Sequence, residues 1–409
     1  MLADELQADA LERFLRYVRI DTQSAHDSDS FPSTAKQLDL SRLLVDELRA
    51  AGLADAELTE HGYVFATLAG VEGAPTVGLL AHVDTAPDAS GTNVEPQVHE
   101  RYDGRDLVAG LSPETSPLLG ERLGHDIVTT DGTTLLGADD KAGVAEIMAA
   151  VAYLAAHPEI EHAPARMCFT VDEEVGHGVD HLDLEQFGAD FAYTLDGERV
   201  GEIENETWSA LELKVTFPGV PVHPGLAKGK LVNPIKLAAR FVDSLPPEMA
   251  PETTDGRDGF IHPSAISGDP VRATVVTHVR DYDWDGLLAK ERLLRELAQS
   301  VSPDVVFERW EQYRNMREGL ERAPQVVEAA LEATRRVGLE PKLASIRGGT
   351  DGSRLTELGL PTPNVYTGGN EFHSVREWIS VQDMALSSAT VVELLKLWAE
   401  PAWRARARP

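Results

Sequence analysis

Apolar residues recur at helical spacing through the opening stretch MLADELQADALERFLRYVRI, with Leu11, Phe14, Leu15 and Val18 on one face, which predicts an amphipathic helix. The same spacing runs from Gln37 to about Ala51. The pattern then shifts to strands: YVFATLAG is partly alternating, and TVGLLAHVD is a continuous apolar run, as expected for a strand covered on both faces. The Ala-rich DKAGVAEIMAAVAYLAA reads as a helix, and ARMCFTVD and FAYTLD as further strands. Alternating strands and helices point to an α/β layer with a largely parallel sheet.

After about residue 208 the texture changes. ALELKVTF alternates like a strand with one solvated face, followed by the helical LVNPIKLAARFVDSL, the strand ATVVTHVRDYD, the helix GLLAKERLLRELAQSV and the strand DVVFERW. This order predicts a small α+β (ferredoxin-like) domain inserted in the larger one. The α/β pattern resumes with PQVVEAALEATRRVG, PKLASIRGG, TPNVYTG and a final helix from Val381 to about Glu400. The expected organisation is 1–208 and 315–409 as an α/β domain, with 209–314 as the insert.

The 409 residues exceed what one compact core needs, in keeping with two domains. A formal net charge of -31 argues against nucleic acid or an anionic membrane surface as partner, since phosphate binding needs a basic face. The N-terminal stretch lacks the basic and apolar regions of a signal peptide, and no run approaches a membrane span. Cys168 is the only cysteine, which excludes an internal disulfide or a thiolate metal cage. Its place in ARMCFTV predicts a buried strand position, and a reducing cytoplasm fits.

Within this frame, TLLGADDKAGVAEIM sets two aspartates side by side where a turn becomes a helix. One acidic N-cap is ordinary; a second asks for a partner of high positive charge. Functional groups collect at strand ends in parallel α/β sheets, and several ends here finish in candidate metal ligands. LLAHVDT supplies His82 and Asp84, FTVDEEVG supplies Glu173 and Glu174, YTLDGE supplies Asp196, and GGNEFHSVREW supplies His373. Imidazole and carboxylate without thiolate suit zinc, or Mn²⁺ and Co²⁺. One aspartate of GADDK is the natural bridge between two ions, and one of the adjacent glutamates the natural base. Asp84 has the placing of a group that orients His82.

The stretches AHVDTAPD, TTDGTTLLGADDKAGVAEIM, DEEVG, VHPG, APETTDGRDGF and IRGGTDGSRL resemble the peptidase T branch of the dinuclear-zinc superfamily. That superfamily also holds glutamate carboxypeptidases, aminoacylases and succinyl-diaminopimelate desuccinylases. The resemblance spans nearly the whole chain. It implies His82, Asp139 and Asp196 on one zinc and Asp139, Glu174 and His373 on the other, two ions per subunit. It further implies Glu173 as general base, Asp84 as the orienter of His82, and Asp140 in a supporting or capping position. It implies that His223, on the insert, stabilises the oxyanion, and that Arg280 and Arg347 meet substrate carboxylate or carbonyl groups. The insert is expected to act as a lid over a small peptide partner, with edge-to-edge pairing into a homodimer as the alternative role.

Blander readings compete at individual positions. His177 and His181 in GHGVDH have zinc-site spacing, but Gly178 weakens a helix there and no glutamate lies between them. RGGTDG reads as a turn before a helix with Asp351 near the cap, a phosphate-cradling role being disfavoured by the net acidity, and His223 reads equally as a turn histidine before Pro224. The leading functional expectation is a metallo-aminopeptidase acting on short peptides, tripeptides above all. A dinuclear carboxypeptidase or N-acyl-amino-acid deacylase would share the site, and a non-catalytic peptide-binding protein would have no need of Glu173.

Overall fold

The computed structural model describes residues 1–407. The chain separates into two compact units: Met1–Asn205 with Met316–Ser345 and the residues from Thr350 on, and Glu206–Asn315 with Ile346–Gly349. The strip Ile346–Gly349, which the sequence groups with the α/β domain, packs with the second unit.

An eight-stranded sheet organises the first unit, in the order Glu57–Leu58, Val64–Leu68, Ala165–Thr170, Val77–His82, Phe191–Gly197, Asn364–Tyr366, Glu202–Glu206, Lys342–Ser345. The four strands from Ala165–Thr170 to Asn364–Tyr366 run parallel, while Val64–Leu68 and Glu202–Glu206 flank them antiparallel. The sheet is therefore mixed, and its parallel centre carries the continuous apolar runs: every residue of Val77–His82 is buried. Cys168 is buried and free in Ala165–Thr170.

The helices Leu2–Tyr17, Ala138–Ala156 and Val381–Ala399 pack against one another, and Ala138–Ala156 lies on the strands Val77–His82 and Phe191–Gly197. Because Leu2–Tyr17 touches two helices, its buried stripe is Leu6, Ala10, Phe14 and Tyr17. Leu11 and Leu15, predicted on the same face as Phe14, are only half-buried.

Helix Ala138–Ala156 is held close to the sheet by Gly143. A Cβ there would lie 2.0 Å from the Leu195 carbonyl oxygen and 2.5 Å from Asp140 Oδ1. Gly143→Ala should destabilise the protein by ~1–3 kcal/mol or more in thermal melts of the metal-free protein, despite alanine's better helix propensity. An unchanged melting temperature would mean that the helix can move away from the strand.

A second sheet of very short strands, Gly369–Asn370, Trp378–Ser380, Ile127–Thr129 and Gln97–His99, also belongs to the first unit. Strands of two or three residues carry no readable period, so the sequence does not announce them.

The second unit is a four-stranded antiparallel sheet ordered Phe260–Gly268, Arg272–Asp281, Ser209–Pro218, Val306–Tyr313, with helices Pro234–Asp243 and Trp284–Val301. The βαββαβ succession is the ferredoxin-like order. Leu211, Leu213, Val215 and Phe217 alternate inward to form its core with Phe241, Leu287 and Leu294. Strand Phe260–Gly268 escapes a sequence reading because Pro263 interrupts it; the register shifts between Pro263 and Ala265, and the strand lies at the sheet edge, where proline is tolerated. No helix among the described residues is long and apolar enough to cross a membrane.

Candidate metal centre

The ends of the parallel strands bring the acidic and imidazole groups together. His82 ends strand Val77–His82, Asp196 lies in Phe191–Gly197, and Glu173 and Glu174 form a 3-10 turn shortly after Ala165–Thr170. Asp139 and Asp140 occupy the first turn of Ala138–Ala156, joined by a cis peptide. His373 sits between the short strands Gly369–Asn370 and Trp378–Ser380.

Asp139 stands at the middle. Its Oδ1 is 3.0 Å from His82 Nε2, and its Oδ2 is 3.4 Å from His373 Nε2. Asp196 Oδ1 approaches His82 Nε2 at 3.7 Å, and Glu174 Oε2 lies 2.9 Å from His373 Nε2. Two sets of three side chains result, His82–Asp139–Asp196 and Asp139–Glu174–His373, each with ligand atoms within 4.8 Å of one another, and Asp139 belongs to both. His177 and His181 join neither set: residues 177–180 form a turn, His177 pairs with Asp180, and His181 stacks on His61.

The surrounding hydrogen bonds revise two expectations. His82 Nδ1 lies 3.0 Å from the Asp84 backbone carbonyl and 3.4 Å from its carboxylate, so the main chain is the nearer orienting group. The Asp84 carboxylate is occupied instead by the backbone N–H groups of Glu173 and Glu174, at 3.1 and 3.2 Å. Asp84 thereby ties the His82 strand end to the glutamate turn. Asp140 does not cap its helix; its Oδ2 accepts the His82 N–H at 3.1 Å.

Burial pushes the Glu173 carboxyl well above the usual range and Glu174 up to about 8, with neighbouring carboxylates adding to both. Burial opposes the charge on His82, yet Asp139, Asp196 and Asp84 lift its pKa well above the ordinary imidazole value, and contacts to Asp139 and Glu174 raise His373 to about 11. Glu173 and Glu174 thus favour their neutral forms, whereas Asp139, although buried, is held below the usual carboxylate range by its contacts with His373 and His82. Glu174 Oε1 is in addition buried without a hydrogen-bond partner. A convergent set of oxygen and imidazole acceptors fits divalent ions, and Asp139 offers one oxygen to each side.

Two buried acids at the site are not evident from sequence. Asp351, beside the Thr350 cap, accepts a hydrogen bond from Thr170 Oγ1 at 2.7 Å, and burial raises it to about 7. Glu377 accepts three backbone N–H groups from the loop leading into Asp139. Lys141, behind the aspartates, buries its ammonium against the Ile20 carbonyl at 2.7 Å, and burial lowers its pKa to about 8.

The other three predicted site residues lie in the second unit. His223 is exposed, and its Nδ1 accepts the Gly225 N–H at 3.2 Å. Arg347 lies over the Trp208 ring at 4.8 Å and donates to the Thr254 carbonyl and hydroxyl. Arg280 lies over the Tyr313 ring at 5.7 Å and donates to the Val279 carbonyl.

Comparison with known proteins agrees with this architecture. The profile of Peptidase family M20/M25/M40 matches residues 129–397. A Peptidase T of Geobacillus thermodenitrificans is 47% identical over 96% of this chain and 99% of its own. Among solved structures, a tripeptidase from Staphylococcus aureus superposes with a TM-score of 0.77 at 21% identity, covering 96% of this chain and 98% of that one. An aminopeptidase from Bacillus cereus gives 0.75 at 22% identity, covering 96% and 99%. With both the profile and near full-length identity in agreement, the chain belongs to peptidase family M20/M25/M40.

Proposed function

We propose that this protein is a metallo-aminopeptidase that releases the N-terminal residue of tripeptides. The observation that carries the reading is Asp139, whose two carboxylate oxygens face two separate ligand pairs, in a chain that matches a Peptidase T over 96% of its length. In this reading His82, Asp139 and Asp196 hold one ion and Asp139, Glu174 and His373 the other, with zinc the preferred metal and Mn²⁺ or Co²⁺ also suited to the donors. Ions bound there supply the positive charge that acidifies water and polarises a peptide carbonyl.

The protein's own groups do the rest. Glu173 takes the proton of the attacking water and returns it to the departing amine, so the peptide C–N bond breaks and an amino acid and a dipeptide leave. Asp84 fixes the base by gripping the Glu173 N–H. His223 suits an oxyanion donor: with Nδ1 accepting from Gly225, the neutral ring keeps its proton on Nε2. His223→Ala should lower kcat by ~10²-fold with metal content unchanged, a loss typical of one oxyanion donor; unchanged kinetics would return His223 to a turn role. Arg280 and Arg347 are assigned to substrate carboxylate or carbonyl groups. A homodimer through the second unit draws on its edge strand, where Ile266 is 56% exposed, and a cytoplasmic location accords with the single free cysteine.

Product analysis tests the assignment. Met-Gly-Gly should yield methionine and Gly-Gly, whereas N-acetylated Met-Gly-Gly, a long peptide and an acyl amino acid should be poor substrates. Release of the C-terminal glycine, or preferred cleavage of the acyl amino acid, would move the protein to a carboxypeptidase or deacylase.

A further inference from the structure

Helix Ala138–Ala156 begins without a side-chain cap from its own residues. Its first N–H groups have no intrahelical partners, and the two aspartates placed to receive them are turned elsewhere: Asp139 toward the ligand pairs, Asp140 toward the His82 N–H. The capping work falls to a residue remote in sequence. Glu377 Oε2 accepts the N–H groups of Leu136 and Gly137, both at 2.8 Å, and Oε1 accepts the N–H of Asp139 at 2.9 Å. The side chain is 1% exposed.

Its base is firm. Glu377 directly precedes strand Trp378–Ser380, which pairs with Ile127–Thr129, and the buried Trp378 indole donates to Ser116 Oγ at 3.1 Å. The same carboxylate lies four residues beyond His373 in the chain. One group thus joins the loop of a ligand found in one set to the backbone of the aspartate found in both.

We propose that Glu377 is a positioning residue for the metal centre, clamping the backbone N–H groups of Leu136, Gly137 and Asp139 so that the bridging carboxylate is aimed at both ions and their uptake is coupled. This rests on the dinuclear reading of the site. A carboxylate is required because three donors converge on two oxygens. Glutamine would turn an NH₂ group toward at least one of those N–H groups, and aspartate would keep both oxygens but fall a methylene short.

The test is ion uptake by metal-free protein, read for Zn²⁺ by competition with a chromophoric chelator and for Co²⁺ by its absorption spectrum, without substrate. Wild type should take two ions; fewer would overturn the dinuclear reading and the clamp with it. E377Q should bind both ions ~10–100-fold more weakly, the usual cost of losing a group that orients metal ligands, with an altered Co²⁺ spectrum. E377D should fall between E377Q and wild type, and it carries the test by itself if E377Q does not fold. Melting of the metal-free variants separates a clamp from a simple helix cap, which would lower the melting temperature and leave ion affinity alone. Wild-type affinity in either folded variant, or loss confined to one ion, overturns the proposal.

Discussion

Glu173→Gln is expected to retain both ions and lose ~10²–10⁴-fold or more in kcat, because the amide keeps the shape of the side chain and cannot accept a proton. The loss should reach the upper end, since in the proposed mechanism one group would serve twice, removing a proton from water and returning it to the leaving amine. The structure gives reason to expect little collateral damage. Glu173 is held through its backbone N–H by Asp84, and its side chain belongs to neither ligand set. Elemental analysis beside steady-state kinetics decides the matter; an active variant would remove Glu173 from the chemistry.

Asp139→Ala is expected to empty both ion positions together, whereas Asp196→Ala and Glu174→Ala should each weaken chiefly one. Asp139 is the only residue common to the two sets, with Oδ1 toward His82 and Oδ2 toward His373. In the proposed centre its removal would delete a ligand from each ion and the negative charge between them. Asp140→Ala should act differently, because its carboxylate receives the His82 N–H and joins neither set. Metal stoichiometry of the four variants is the readout. If Asp140→Ala loses both ions and Asp139→Ala keeps them, the bridge lies on the wrong aspartate.

How far these features could be read in the chain depends on the range of the interactions that make them. Strands Val77–His82 and Phe191–Gly197 announce themselves because burial demands an unbroken apolar run, and the polar residue ending each run marks a strand terminus. Histidine and acid at those termini are therefore legible as a cluster before any coordinates. Strand Phe260–Gly268 is hidden by Pro263 and by exposure along much of its length. The short sheet that carries Trp378 leaves no periodic trace. The supporting carboxylates are harder still. Asp84 and Glu377 act by accepting N–H groups from segments dozens to hundreds of residues away, and such a bond leaves no local signature in either partner. Asp140 shows the same limit from the other side: its place at a helix start suggests a cap, and only the neighbouring strand reveals that it receives His82 instead.

The proposed activity requires a two-ion site that hydrolyses a tripeptide from its free N-terminus. Its most direct test is to titrate Zn²⁺ into chelator-treated protein while following release of the N-terminal residue from Ala-Ala-Ala. Turnover should be absent without metal, rise with added ion and level off at two ions per chain. Hydrolysis that persists without metal, or a plateau at one ion with no further gain, would contradict the bridged centre.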